Sequence, residues 1–574
     1  MNAFHELWRR GTGLLAIAAV LSVLATITCV RSERTPSPPR LVVVIVVDQM
    51  CHHHVDRFRD LYKGGFDRLL SGGAVFTNAW HDHARTHTSP GHASISTGSH
   101  PRRHGIVANA WYDRTNEFAV TYSARDEKAH LVGQPDRAGA SPRQLLCDAL
   151  GDRLKQQSAQ SRVFSVALKD YASVLMGGQR PDAAYWYDTE TGTFCSSTWY
   201  MDQYPAWVEA FNATAPADAY RGAVWTKSLS AADYERSRPD EFEAESDGEH
   251  TTFPYPVETA AENSGETFYE FLRSTPYADE MTLRFAAGIV VEEDLGTDDV
   301  PDVLFVSCSA ADFIGHTWGP YSQEVEDYYI RLDGYLKTFF DMLDDRVGPG
   351  RYVVTLTSDH GVDPLPEELA GKFAGAERIG RGRYYDDIDR VAQTLAREYG
   401  FTTPLVAHRD RGLVLDPAAS AESGFSPAEL RNRLAEEIGK FAYVEDVVTY
   451  DELADGNISV PREDTRPRNW DFYRLYRNGF HPDRSPDLYV TFKAHRLLTG
   501  GSTGTTHGSP HPYDRRAPLV LLGPGVSGGV YEGEVHTIDV MPTLCRLLGI
   551  APPAGTVDGR VLEQALTDRS GKDH

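Results

Sequence analysis

Four short stretches of the chain are apolar almost without interruption: Leu41–Val47 (LVVVIVV), Asp302–Ser307 (DVLFVS), Tyr352–Thr357 (YVVTLT) and Pro518–Gly523 (PLVLLG). Runs of this length, rich in β-branched residues, predict strands buried on both faces of a mainly parallel sheet. Between them, apolar positions recur at helical spacing in Ser141–Gln157 and Glu324–Asp345. The alternation predicts a doubly wound α/β fold, a mostly parallel central sheet flanked by helices. Two stretches break the pattern. Residues 180–275 are rich in Tyr, Trp, Asp and Glu, and residues 365–500 are mixed, with a short strand of their own at Asp487–Lys493. Both are read as inserted cap segments on a catalytic body spanning 40–565, and the aromatic run AAYWYDTETG (183–192) is assigned to the first of them.

The first 39 residues stand apart. Arg9 and Arg10 precede an apolar run, Gly11–Val30, and then a polar, Pro-rich segment. This is the pattern of a signal peptide, and the run is also long enough for a retained anchor. Cys29 is a candidate lipidation site, although Thr-Ile-Thr before it is a poor lipobox. The body is therefore expected to be periplasmic or secreted, with membrane attachment through the N-terminus if the segment stays or is lipidated. The formal charge of −25 argues against nucleic acid or anionic membrane surfaces as partners. An acidic chain that takes an anionic substrate needs a locally positive site, and metal ions supply one. Five cysteines lie outside the leader, at 51, 147, 195, 308 and 545, with no CxxC pair. An exported compartment would allow one or two disulfides among them. Cys51-His52-His53-His54 has metal-ligand composition, but consecutive side chains are expected to diverge, so it is read as structural. Oligomeric state is not encoded legibly.

Candidate chemistry gathers just after the strands, where open α/β sheets place their sites. Asp48 follows the first run. Asp312 and His316, four apart in DFIGH, share a face if that segment is helical. Asp359 and His360 follow the third run, and His507 precedes the last. Carboxylates and imidazoles without thiolate suit zinc or a similar divalent ion in a catalytic role. Six ligands fit two ions sharing one substrate better than a single open site. The hydroxyl-rich stretch 84–113 then offers a nucleophile, since a bound cation lowers the pKa of an alcohol. Thr88, ahead of Ser-Pro-Gly and a helical pattern, is the leading candidate, and Thr86, Ser89 and Ser94 remain open on these grounds. His81, His83, His87, His92 and His104 are read as supporting residues of the loop.

The set VVDQM, TSPGHASISTG, HGIVANAWYD, LKD, DFIGH, SDHG and THGSP resembles the alkaline phosphatase superfamily. Within it the likeness is to bacterial single-domain, threonine-nucleophile alkaline phosphatases related to nucleotide pyrophosphatases/phosphodiesterases, and it spans roughly residues 40–550. The resemblance implies an alkaline-phosphatase-like fold, two Zn²⁺ ions and a phospho-threonine intermediate. It implies that Thr88 is the nucleophile and that Asp48, Asp359 and His360 hold the zinc that activates it. Asp312, His316 and His507 would hold the second, Asn109 would bind a phosphate oxygen, and Lys169 the phosphoryl group.

One position departs from that pattern. The monoesterases carry Lys-Asp-Arg where this chain has Lys169-Asp170-Tyr171. A phenol cannot reproduce a bidentate guanidinium grip, and monoester dianions need that charge more than diester monoanions do. The expected activity is phosphate monoester hydrolysis. A phosphodiesterase or nucleotide pyrophosphatase is the alternative, and a catalytically inactive metal- or phosphate-binding protein a further one. A sulfatase is disfavoured, because Thr88 stands where an oxidisable Cys or Ser would be.

Overall fold

A computed structural model of the chain describes residues 38–402, 404–409, 412–455 and 470–567. The expected export segment lies outside them. Within the described residues no helix is long and apolar enough to cross a membrane.

The main sheet has ten strands: β1 (Leu41–Val47), β2 (Ala74–Trp80), β3 (Val163–Ala167), β4 (Ala183–Asp188), β5 (Thr193–Cys195), β6 (Asp302–Cys308), β7 (Tyr352–Thr357), β8 (Arg516–Leu522), β9 (Gly529–Tyr531) and β10 (Val535–His536). Their order is β9-β2-β8-β7-β1-β6-β3-β4-β5, with β10 beside the end of β2. Strand β1 is central and pairs in parallel with β6 (Leu41↔Asp302 to Val47↔Cys308) and with β7 (Leu41↔Tyr352 to Val46↔Thr357). Every residue of β1 is buried. Leu41, Val43, Ile45 and Val47 pack into one core layer and Val42, Val44 and Val46 into the other. Each such Val or Ile contributes about 1.5–3 kcal/mol, so the uninterrupted apolar run is the signature of a strand covered twice.

The predicted strands are present, but β8 runs antiparallel, between β7 and β2. That reversal serves the site. It brings the start of β8 to the edge where β1, β6 and β7 end, and His507 just ahead of it arrives there too. Because β2 is antiparallel to β8, its end lies at the same edge and delivers the loop leading to Thr88.

Two sequence expectations are corrected. Ala183–Asp188 is not part of an insert but strand β4, parallel to β3; its aromatic side chains hide its strand pattern because they fill both faces. The helix expected over 141–157 spans only Leu150–Gln157. Asp152 sets its start, its carboxylate accepting the Ala149 N–H at 2.8 Å as well as the N–H groups of Gln179 and Arg180. By contrast, the helix Gln323–Arg346 closely matches its pattern. Residues 406–492 include a four-stranded antiparallel sheet, Val406–Arg409, Gly412–Leu415, Leu488–Phe492 and Val444–Thr449, with helices and a hydrophobic cluster of its own. Cys51, Cys147, Cys195, Cys308 and Cys545 are all buried free thiols, so no disulfide forms among the described residues.

Candidate active site

Thr88 is the first residue of helix α1 (Thr88–Thr97), which is buried along its whole length. A Cβ at Gly91 would collide with the Asp359 carbonyl, so glycine lets α1 lie directly on the end of β7. The Thr88 hydroxyl stands 3.3 Å from His360 Nε2 and 3.4 Å from Lys169 Nζ. The other candidate hydroxyls are engaged elsewhere: Thr86 donates to the Ser509 carbonyl, Ser89 pairs with Ser123, and Ser94 with His104 Nε2.

The six sequence-selected metal-ligand candidates converge around Thr88. Asp48, Asp359 and His360 offer ligand atoms within 4.8 Å of one another, and so do Asp312, His360 and His507. His360 thus belongs to both groups, its ring stacked on that of His507 at 3.6 Å. His316, at the end of helix α2 (Ala310–Trp318), lies outside the second group but reaches Asp312 Oδ1 at 3.2 Å, as the four-residue spacing requires. Lys169 Nζ is 2.6 Å from both Asp48 Oδ2 and Asp312 Oδ2, bridging the two groups.

The donor set fits cations. Asp48 Oδ1 and Asp359 Oδ2 are buried and accept no hydrogen bond among the described residues. His360, His316 and His507 each turn Nδ1 to a backbone carbonyl (Gly361, Thr505 and Thr86) at 3.0, 2.7 and 2.7 Å. Donation there fixes the tautomer and leaves Nε2 as a lone-pair donor facing the carboxylates, the arrangement metal-binding imidazoles adopt. Burial holds His507 down to about 3, and burial with neighbouring carboxylates pushes Asp48 upward.

Gln49 is a positioning residue that motif reading missed. It sits at φ 64°, and only its place inside VVDQM marked it. Its backbone N–H donates to Asp359 Oδ1 at 3.1 Å and its side-chain amide to Asp312 Oδ1 at 2.6 Å. Asn109 accepts the Ser89 N–H at 2.9 Å, which fixes its amide beside the start of α1. His92 braces the same region, with Nδ1 2.9 Å from the Thr88 carbonyl and Nε2 2.9 Å from Ser307 Oγ.

Tyr171 and Lys169 line a cavity of about 580 Å³ with Trp186, Arg273 and Phe313. Phe313 carries two cations against its ring, Lys169 Nζ at 5.2 Å and the Arg273 guanidinium at 4.6 Å from its centre. Arg273 is a second residue the sequence did not flag; it is more than a hundred positions from Lys169 and belongs to no motif.

The family described as type I phosphodiesterase / nucleotide pyrophosphatase matches residues 42–514. The alkaline phosphatase PafA of Elizabethkingia meningoseptica is 33% identical over 555 residues, 95% of this chain and 98% of that protein. The alkaline phosphatase PhoV of Synechococcus elongatus is 32% identical over 541 residues, 93% of this chain and 94% of that protein. The crystal structure of wild-type PafA superposes with a TM-score of 0.84 at 32% identity, covering 92% of this chain and 99% of that one. The chain belongs to the type I phosphodiesterase / nucleotide pyrophosphatase family of the alkaline phosphatase superfamily and is a phosphoric ester hydrolase.

Proposed function

We propose that the chain is an exported, zinc-dependent phosphomonoesterase that works through a phospho-threonine at Thr88. The supporting observation is the placement of the Thr88 hydroxyl, 3.3 Å from the His360 imidazole that two ligand groups share and 3.4 Å from the Lys169 ammonium. Asp48, Asp359 and His360, with Thr88 itself, would hold one zinc ion, and Asp312, His316 and His507 the other. When bound, the pair supplies Lewis acidity that lowers the pKa of the threonine hydroxyl and offsets charge on the departing oxygen.

Thr88 Oγ1 loses its proton to solvent and attacks phosphorus in line. The bond from phosphorus to the ester oxygen breaks, and that oxygen takes a proton from solvent as the alcohol leaves. Lys169 and Asn109 steady the equatorial oxygens as their charge changes. Water then attacks the phospho-threonine from the vacated side, returning the hydroxyl and releasing inorganic phosphate.

Thr88→Ala is the test. Turnover of an aryl phosphate should fall by at least about 10³-fold while Thr88→Ser keeps part of it. Acid quenching of the wild type should trap phosphate on the peptide that holds residue 88. An alanine variant that keeps a substantial fraction of wild-type turnover, with its metal bound, would overturn the reading. A phosphodiesterase is the second reading, favoured by Tyr171 in the arginine position. The body is proposed to act in the periplasm or outside the cell, with an N-terminal anchor or lipid as the means of any membrane attachment.

A further inference from the structure

Three residues beyond Asp48 the chain makes a short turn, and there Cys51, His53 and His54 come together. We propose that these side chains form a separate binding site for a zinc-class cation, held by one thiolate and two imidazoles. Each residue offers one ligand atom, and the three atoms lie within 4.8 Å of one another. The divergence expected of consecutive side chains does not occur, because the segment turns helically. The His54 N–H donates to the Cys51 carbonyl at 3.1 Å, which puts positions 51 and 54 on one face. The His53 ring then crosses the His54 ring at 64° with centres 4.4 Å apart.

Two independent features point to a ligand. Cys51 and His54 are 3% and 2% exposed, and His54 Nδ1 and His53 Nε2 are buried without a hydrogen-bond partner among the described residues. Orphaned ring nitrogens in a dry interior are costly unless something binds them. The His54 tautomer is also set in advance. Its Nε2 lies 3.0 Å from the Pro320 carbonyl, and donation there leaves Nδ1 as the lone pair, the same support the catalytic imidazoles receive. The rings are held in place as well, His53 stacked on Tyr321 at 5.0 Å and His54 on Phe58 at 5.8 Å.

The donor chemistry selects the ion. Sulfur with two imidazoles excludes magnesium and calcium and favours zinc, leaving a fourth tetrahedral position. Burial pushes the Cys51 thiol up to about 12 and holds the His53 and His54 imidazoles down, whereas a metal takes cysteine as the thiolate. Binding therefore releases the thiol proton to solvent as the sulfur–metal bond forms. Arg57, the neighbouring cation, is tied down by the carbonyls of Arg236, Pro320 and Tyr321 and by the Ser237 hydroxyl. This site contains sulfur and the catalytic group does not, so the two are separable by spectroscopy.

The full chain, stripped of metal and reloaded with cobalt(II), should show a near-ultraviolet thiolate-to-cobalt charge-transfer band. That band should disappear in Cys51→Ser, persist in Asp359→Asn, and be accompanied in Cys51→Ser by one fewer equivalent of bound zinc. If Cys51→Ser fails to fold, His53→Phe keeps both the thiol and the stack on Tyr321. In that variant the cobalt midpoint for the thiolate band should weaken by more than about tenfold. A cobalt-loaded wild type without the band, a band that survives in Cys51→Ser, or an unchanged midpoint in His53→Phe would each overturn the proposal.

Discussion

Gln49 donates its side-chain amide to Asp312 Oδ1 at 2.6 Å, which ties the loop after β1 to the helix after β6. The same residue fixes Asp359 through its backbone N–H, so one side chain and one peptide set the positions of two carboxylates. Its φ of 64° belongs to a region glycine enters freely. Gln49→Gly should therefore keep the backbone and lose only the amide. We expect kcat/KM to fall about 10–100-fold, with weaker metal retention and a thermal midpoint close to wild type. Steady-state kinetics together with metal analysis after dialysis checks this; unchanged kinetics would remove Gln49 from the positioning role.

Tyr171 sets the second prediction. Arginine at this position would place a guanidinium near Lys169 in the cavity that both residues line. Tyr171→Arg should raise kcat/KM for an aryl phosphate monoester by about tenfold or more, and raise it less for the methyl diester. A wild type that already prefers the diester strongly would instead favour the phosphodiesterase reading.

The packing of α1 on β7 gives a third. Gly91→Ala places a methyl group against the Asp359 carbonyl, and neither backbone can yield without moving Thr88 or Asp359. We expect about 1–3 kcal/mol lower stability and a loss of turnover larger than that destabilisation explains. Denaturant titration with kinetics on the folded fraction separates the two effects.

His100 makes stability depend on pH. It lies between Asp82 at 3.1 Å and Asp558 at 3.2 Å. Burial alone would lower its pKa, but the two flanking carboxylates outweigh that and raise it above 6.5. A raised folded-state value means the ion pairs stabilise fully below the unfolded value and are lost as pH climbs through the folded one. The thermal midpoint should therefore decline from mildly acidic to alkaline pH, and His100→Asn should start lower and flatten the decline. A His100→Asn profile parallel to wild type would contradict this.

Much of the framework was readable because its signals are local. The apolar runs at Leu41–Val47 and Tyr352–Thr357 match strands end to end, since burial on both faces leaves no polar interruption. Asp48, Asp359 and His360 were visible as polar residues placed directly after such runs. What escaped was relational. The direction of β8 depends on which strands flank it, and Arg273 joins the site only through tertiary packing on Phe313. The convergence of Cys51 and His54 depends on one backbone hydrogen bond. A helix start is illegible where a distant partner decides it, as with Asp152, whose carboxylate also accepts the N–H groups of Gln179 and Arg180.

The position of β8 also has a consequence for how the molecule is made. It is laid between β2 and β7, both complete long before residue 516 leaves the ribosome, and His507 comes with it. A growing chain therefore holds Thr88 and most of its partners while the sheet that aligns them still lacks an inner strand. Such long-range closure is slow, because loop entropy must be met before pairing rewards it. Hydrolytic competence should thus appear all at once, when β8 slots into a gap that earlier segments have left open.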